Sequence, residues 1–466
     1  MDTSWISIVP PLLAVVLAFV TREAVVSLAL ACIAGVLLMG QGIQGFPVLV
    51  TRALGRPDFI WVCSIELCIG VIVAFLQRSG AVSLFTVRVG RWAKDRRQVG
   101  ILGWALGLLI FFSDYFSPLF VGPVMRNLTD KYRMAREKLA YICDSTSAPL
   151  SVLIPISAWA AYLGGLAVGT AGIADKEAGM ELFLRSLPFN FYCVLSIGFV
   201  FIIVAEILPD FGPMKAAEER ARTTGKVMRD GAVPMMGKEL TELEVSTTGR
   251  TNLGLNFVLP VAVIVITNVT TFVVTGTSGV LESLMLGVVV MAVTLWIQRV
   301  DDLNGIMKAV YAGVKGVMPA VLILALAYCI NAMTREMHTA EYVVGITESW
   351  MSPRILPALI FLVSGIISFA TGTAWGTYAI VVPIALPLAF QFDGQQVGVL
   401  VPATFASVAG GGVFGDHCSP LSDTTVLSSL GSASDHMDHV RTQLPYALVV
   451  AAVALLLYLL VGLVGG

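Results

Sequence analysis

Charge is what this chain has least of. Only 13% of its 466 residues are Asp, Glu, Lys or Arg, and 57% are hydrophobic; an average soluble domain carries roughly 25% charged residues. A soluble globule of this size could not hide so much apolar surface. A soluble enzyme, a nucleic-acid binder and a disordered chain are therefore excluded. Net charge is lacking too: the formal value is -2, so any charge signal lies in where the Lys and Arg sit. Cysteine offers no framework, because the seven are odd in number, lie in or beside apolar runs and show no zinc spacing. Residues 1 to 20 lack the basic n-region and small-residue cleavage site of a signal peptide, and are expected to form a retained first membrane helix.

What is present is a succession of long apolar runs. A spanning helix needs about 20 mostly apolar residues, and ten stretches qualify: 5 to 21, 24 to 42, 58 to 77, 139 to 168, 188 to 208, 254 to 274, 281 to 297, 317 to 334, 396 to 430 and 442 to 464. Two are too long for one simple helix. The first is interrupted by Asp144 to Pro149 and the second by Gly410 to Pro420, so both read as broken helices. Non-helical backbone at membrane depth is tolerated only where it is buried in protein or lines a cavity. Each break therefore marks an interior site.

Two more apolar stretches, 100 to 125 and 355 to 390, are broken by Ser113 to Pro118 and by Thr371 to Thr377. Basic clusters flank the first on both sides: Arg78 to Arg97 before it, Arg126 to Lys138 after it. Cytoplasmic loops collect Lys and Arg, which predicts a hairpin that enters and leaves on one face. The second is expected to be its counterpart from the other face. Two short crossings would have the same flank sidedness, and the sequence leaves that alternative open. With ten crossings, two hairpins and an external N-terminus, 23 of the 29 Lys and Arg fall inside. Arg52, Arg56, Lys176, Arg185, Arg335 and Arg354 fall outside.

The expected fold is thus all-α and polytopic, with about ten transmembrane helices and two opposed hairpins. The order of segments repeats: three helices, an amphipathic stretch (Gly80 to Arg97, then Glu341 to Met351), a hairpin, a broken helix and a final helix. Five crossings per half place the second copy upside down, the inverted-repeat design of many secondary transporters. The expected units are an N-terminal repeat, 1 to 208, a solvated cytoplasmic linker, 209 to 252, and a C-terminal repeat, 253 to 466.

The four polar breaks carry the candidate chemistry. A carboxylate within the membrane costs several kcal/mol unless paired or hydrated, which singles out Asp114, Asp144, Asp416 and Asp423. Hydroxyls accompany them: Ser113, Ser117, Ser145, Thr146, Ser147, Thr371, Thr373, Thr377, Ser419, Ser422 and Thr424. Small hard cations take oxygen ligands from carboxylates, hydroxyls and freed carbonyls, and half-helix N-termini favour anions. The same architecture could hold Na+ alone or Na+ with a carboxylate substrate. Against this stand plainer roles: a hydroxyl bonding its own backbone, or Asp144 capping the following half-helix. His417 is the single histidine within a predicted span and could relay protons or make a structural bond. Asp416-His417-Cys418 has metal-ligand residue types, yet consecutive positions diverge and no second cluster completes a zinc site. No nucleophile elbow supports a hydrolase. Glu66 and Glu206 rank below the break residues.

Gly415-Asp-His-Cys-Ser-Pro-Leu-Ser-Asp-Thr-Thr-Val-Leu-Ser-Ser429, Thr371-Gly-Thr-Ala-Trp-Gly-Thr377 and Lys138-Leu-Ala-Tyr-Ile-Cys-Asp-Ser-Thr-Ser-Ala-Pro149 with Pro155-Ile-Ser-Ala-Trp159 resemble the signature stretches of the NhaC-type Na+/H+ antiporter family, over nearly the whole chain. Ala374 stands where many members have Ser, which removes one oxygen from the second hairpin tip. The resemblance implies two inverted repeats, a dimeric scaffold and an elevator mechanism. In that mechanism the hairpins and broken helices slide past the remaining helices. The family includes antiporters that exchange Na+ for H+ and relatives that exchange small organic acids with ions; the expected protein is a homodimer in a bacterial cytoplasmic (inner) membrane that exchanges Na+ for H+, with no cofactor and no enzyme activity. The alternative is a Na+- or H+-coupled carrier of a small organic carboxylate or amino acid, with Trp375 or Tyr115 packing on the ligand.

Overall fold

The computed structural model describes residues 4–465 apart from 90, 92, 112–113, 156, 171–172, 242, 247–251, 276–278 and 348–351. Ser113 and the end of the second amphipathic stretch lie outside the described residues. The chain is all-helical. Among the described residues the one β-type feature is an isolated bridge between Pro234 and Asp435.

The first half contains α1 (Val9–Thr21), α2 (Ala24–Leu38), α3 (Gly45–Leu54), α4 (Pro57–Arg78), α5 (Ala81–Val89), α6 (Arg96–Leu109), α7 (Phe116–Lys131), α8 (Arg136–Ser145), α9 (Ala148–Ser151), α10 (Ala158–Ala167), α11 (Lys176–Ser186) and α12 (Phe191–Val204). Two linker helices follow, α13 (Gly212–Thr224) and α14 (Lys238–Thr241). The second half contains α15 (Leu259–Thr275), α16 (Val280–Ile297), α17 (Leu303–Glu336), α18 (Thr339–Thr347), α19 (Leu356–Thr371), α20 (Ala374–Phe392), α21 (Leu400–Cys418), α22 (Asp423–Ser432) and α23 (His436–Gly465).

Among the described residues six single helices are long and apolar enough to cross a membrane: Pro57–Arg78, Gly254–Thr275, Val280–Ile297, Leu303–Glu336, Ala374–Phe392 and His436–Gly465. A seventh candidate is the pair Lys176–Phe189 and Phe191–Val204, bent by 47°. The count of ten therefore does not correspond to ten single long helices, because several expected spans are built from shorter pieces. At 1.5 Å rise per residue, the ten-residue α8 covers only about half of a 30 Å hydrocarbon core.

The breaks sit where polar residues and proline interrupt the ladder. α8 ends at Ser145 and α9 begins at Ala148, with Pro149 in its first turn. α21 differs from expectation: it runs unbroken through Gly410-Gly411-Gly412 and opens only at Ser419 to Ser422. Packing explains why these glycines do not break it. A Cβ at Gly411 would stand 2.4 Å from the Phe361 carbonyl oxygen, and one at Gly415 2.2 Å from that of Gly365. α21 thus lies backbone to backbone on α19, as small residues allow between membrane helices.

Each break is tied to the neighbouring helix–turn–helix. The Ser151 hydroxyl donates to the Phe111 carbonyl at 3.2 Å, and Ser419 donates to the Phe369 carbonyl at 2.7 Å. Apolar packing forms two clusters. One joins α1 to α7 with α16, α17 and α22; the other joins α9 to α11 with α19 to α21 and the membrane part of α23.

The linker is not solvated throughout. Lys138, buried at the start of α8, pairs with Asp210 at 2.9 Å and Glu218 at 3.4 Å, and Arg220 pairs with Glu137 at 2.8 Å. Met235, Met236 and Leu240 are buried within the first apolar cluster. The alternating charges of 209 to 252 read as solvated, and Lys226 with Asp230 and Arg222 with Glu206 form exposed pairs, but Asp210, Glu218, Arg220 and Arg229 pair with residues of α6, α8 and α23.

Candidate functional site

The four expected carboxylates are held at helix ends of opposite polarity. Asp144 lies in the last turn of α8 and Asp416 in the last turn of α21. There, unsatisfied carbonyls make the negative pole of the helix, so an uncompensated carboxylate is disfavoured. Asp423 opens α22 and Asp114 lies just before α7, where the positive pole favours an anion. The broken helices thus create two kinds of acidic site.

The first is sealed. Asp144 is fully buried. Its Oδ2 accepts from the Gln443 side-chain amide at 2.8 Å and lies 3.7 Å from His439 Nε2, while its Oδ1 has no hydrogen-bond partner. Asp144 does not cap α9, whose N-cap is Ser147 without a side-chain cap bond. His439 Nε2 meets Gln443 Oε1 at 2.8 Å. Its Nδ1 meets the Ser429 hydroxyl at 2.8 Å, and that hydroxyl meets His436 Nδ1 at 3.1 Å. His436 Nε2 in turn meets the Pro420 carbonyl at 3.0 Å. Hydrogen bonds therefore link Asp144 through the Gln443 carboxamide to His439, Ser429 and His436, with His439 Nε2 itself 3.7 Å from the carboxylate. His436 also lines a cavity of about 580 Å³ with Arg22, Glu23, Lys315 and Asp435.

The second site is open. A cavity of about 660 Å³ is lined on one side by α4, α16 and α17, including Asp58, Trp61, Tyr328, Asn331 and Arg335. On the other side lie Asp114, Tyr115, Trp159, Tyr162, Thr371, Thr373, Trp375 and Asp423. The Trp159 indole donates to Asp114 Oδ2 at 3.0 Å, and the Tyr115 hydroxyl donates to Asp423 Oδ2 at 2.9 Å. The Trp159 and Trp375 rings stand 4.1 Å apart, and those of Tyr162 and Trp375 4.4 Å.

The structure thus divides the expected residues. Asp114, Thr371, Thr373, Trp375 and Asp423 line the large cavity, and Thr377 lines a small hollow beside it. Ser117, Asp144, Ser145, Thr146, Ser147, Asp416, His417, Ser419, Ser422 and Thr424 are buried outside it. Several hydroxyls bond backbone: Thr146 to Ile142, Ser147 to Asp144, Thr371 to Ile367 and Thr377 to Thr373. Ser422 and Thr424 bond each other at 3.0 Å. Among the described residues the Ser117 and Ser145 hydroxyls, with Oδ1 of Asp144 and of Asp416, have no hydrogen-bond partner. Among the described residues no three His, Cys, Asp or Glu side chains cluster closely enough to hold a metal ion, so a cation here would need hydroxyl and carbonyl ligands as well.

His417 is not alone as an interior histidine. It bonds Tyr192 through Nε2, whereas the buried His436 and His439 adjoin the Asp144 network. Sequence reasoning misses both, along with Gln443, because 436 to 441 lie before the expected span and Gln443 is a polar residue at its start; the i, i+4 spacing of His439 and Gln443 is the available signal. Arg335 reads in sequence as a loop residue flanking a span, and α17 carries it to the cavity rim.

Residues 150–463 match the model of the Na+/H+ antiporter family. The chain belongs to that family. It is a multi-pass membrane protein and a secondary transporter. A Haemophilus influenzae protein described as uncharacterized is 32% identical over 98% of this chain and 90% of its own length. The arginine/ornithine antiporter of Halobacterium salinarum is 30% identical over 36% of this chain and 33% of its own. The malate-2H+/Na+-lactate antiporter of Bacillus subtilis is 28% identical over 38% and 36%. Among solved structures, Neisseria gonorrhoeae MtrF aligns over 91% of this chain and 85% of its own at 13% identity, with a TM-score of 0.37.

Proposed function

We propose that this antiporter-family member exchanges Na+ for H+ across a bacterial cytoplasmic membrane, with Asp144 as the residue at which the two ions compete. The observation that carries the reading is the environment of Asp144: fully buried, one oxygen without a partner, the other bonded to Gln443 and near His439. A buried carboxylate at a helix C-terminus needs a neutralising partner. Either a proton or Na+ supplies it, and the arrival of one expels the other. The hydrogen-bonded chain through His439, Ser429 and His436 is the proton route in this proposal. Each imidazole takes a proton on one nitrogen while releasing one from the other.

Orientation by the Lys and Arg bias would put the His436 end inside and the cavity rim at Arg335 outside. Alternating access is proposed to be of the elevator type in a homodimer with two inverted repeats. The large cavity supports this, since it lies along the seam between α4, α16 and α17 and the tips and breaks expected to move. The two apolar clusters cut across that division, because α6, α7 and α22 pack with α4 and α17. The sliding surface is therefore proposed at the cavity seam rather than between the clusters.

The test is proton flux in proteoliposomes driven by an imposed Na+ gradient. Asp144→Asn should abolish the flux while the protein remains monodisperse. Near-normal flux in that variant would remove Asp144 from the role.

A further inference from the structure

The linker crosses the seam far from the large cavity. Asp58, in the first turn of α4, and Arg335, in the last turn of α17, line that cavity. Arg78 and Gly316 lie about 30 Å away along the same two helices, at 1.5 Å rise per residue, and there the linker binds. Its first part docks instead on the hairpin and the breaks. The Arg136 amide, at the start of α8, donates to the Val227 carbonyl at 3.1 Å, and the Met235 amide donates to the Ser434 carbonyl, in the turn after α22, at 3.0 Å. The Val233 amide donates to Asp435 Oδ2 at 2.9 Å, Arg229 pairs with Asp438 at 3.0 Å, and the Met236 sulfur accepts from buried Arg126 of α7. From Gly237 the contacts change sides. The Gly237 amide donates to the Gly316 carbonyl of α17 at 2.8 Å, and the Ser246 amide to the Arg78 carbonyl at the end of α4 at 2.8 Å. α14 lies on the same patch, since a Cβ at Gly316 would stand 2.4 Å from Leu240 Cβ. Met236 and Gly237 are adjacent, so the chain has no slack between its two moorings.

We infer that the linker is a latch: it holds the hairpin and breaks in the position seen here, and α14 has to leave Gly316 and unwind before they move. The inference rests on the sliding proposed at the cavity seam. The two moorings are unequal. Buried charge also ties the first part to α8, through Lys138 with Asp210 and Glu218 and through Arg220 with Glu137, so this part travels with the helices it binds. α14 is a single turn of four residues, Lys238–Thr241, too short to keep its shape once its packing is lost. Drawn out, it supplies the slack that the moorings lack: four residues span about 6 Å as helix and about 13 Å extended.

Two disulfides tell the moorings apart, each formed in the full chain on a cysteine-free background in proteoliposomes, with Na+-driven proton flux as the readout. Leu240→Cys with Gly316→Cys locks α14 to α17. Oxidised until no thiol reacts with maleimide, this pair should lose flux by about tenfold or more, as expected when a required conformational step is blocked, and dithiothreitol should restore it. Met235→Cys with Ser434→Cys joins two parts that travel together, so oxidation should leave its flux nearly unchanged. Undiminished flux in the oxidised Leu240 and Gly316 pair, or equal loss in both pairs, would overturn the latch while the exchange reading stands. Hydrogen exchange of the wild type in detergent decides the matter if the reduced Gly316 variant is inactive, or if the wild type shows no Na+-driven flux and the ion reading itself fails. Amides 237 to 241 should then exchange about tenfold or more faster than 227 to 235, because α14 opens alone. Exchange of both stretches in step would show the linker opening as one piece and overturn the inference.

Discussion

Asp144 and Asp423 occupy opposite ends of two broken helices, and their surroundings differ in kind. Asp144 is sealed among Gln443, His439 and hydroxyls at the negative pole of α8. Asp423 opens α22 at its positive pole, bonded to Tyr115 and facing an aromatic cavity. A carboxylate at a helix N-terminus is stabilised as an anion; one at a C-terminus is not. In the proposed exchange the open acid is the first to meet a cation arriving from solution, and the sealed acid is where Na+ and H+ displace one another.

The largest expected effect breaks this division at its sealed end. Asp144→Asn keeps the shape and loses the charge, and Na+-driven proton flux should fall by about 100-fold or more. Asp423→Asn should also cost transport, but chiefly through weaker Na+ stabilisation of the purified protein, read as a smaller Na+-dependent shift of the thermal midpoint. If both variants lose the two properties to the same degree, the acids form one site and the division is wrong.

Next comes the proton route. His439→Gln should slow proton flux by roughly tenfold while leaving the Na+-dependent midpoint shift near normal, because Gln still hydrogen-bonds but cannot take up a proton. Proton flux equal to wild type in that variant would take His439 off the path. Ser429→Ala should act in the same direction, since it removes the hydroxyl shared by His436 and His439.

A third effect is on stability. Glu218 accepts from Arg96, from Lys138 and from the Ala135 amide, so Glu218→Ala takes the acid partner from Arg96 and leaves buried Lys138 with Asp210 alone. A cost of about 3 kcal/mol is expected for breaking a buried ion pair, visible as a lower midpoint in detergent. An unchanged midpoint would mean that the linker is not docked in solution. The smallest perturbation tests topology: single cysteines at Gln98 and Asn127 in a cysteine-free background should both be labelled from the inside only. Labelling from opposite faces would make α6 and α7 part of a crossing and remove the first hairpin.

Legibility varies from one part of the chain to the next. The interruptions at Asp144 to Pro149 and at Thr371 to Thr377 are readable, because polar residues gathered with proline or glycine inside an apolar run are costly in lipid unless the backbone opens there within the protein. The break in the second long run lies later than the sequence suggests. Gly410-Gly411-Gly412 resembles a breaker in sequence, yet it serves close packing, Gly411 on α19, Gly412 on Tyr378 of α20 and Gly410 beside Asn190 and Tyr458, and only the neighbouring helices could reveal that. His436 and His439 read as outside a span and Gln443 as a residue at its start, because hydropathy averages over a window and cannot see partners 299 residues away along the chain, the separation between Gln443 and Asp144.

By itself the sequence determined the class: a charge-poor, apolar chain must be satisfied within its own backbone and so becomes a helical membrane protein. It also determined which acids are costly and hence functional candidates, since that cost belongs to each residue type and its apolar flanks. Only the tertiary structure decided which acid faces a cavity and which faces histidines, and that Arg335 reaches the rim. Those outcomes depend on which helix ends meet in space, and helices are brought together by apolar and small-residue contacts that carry no information about the polar side chains they juxtapose.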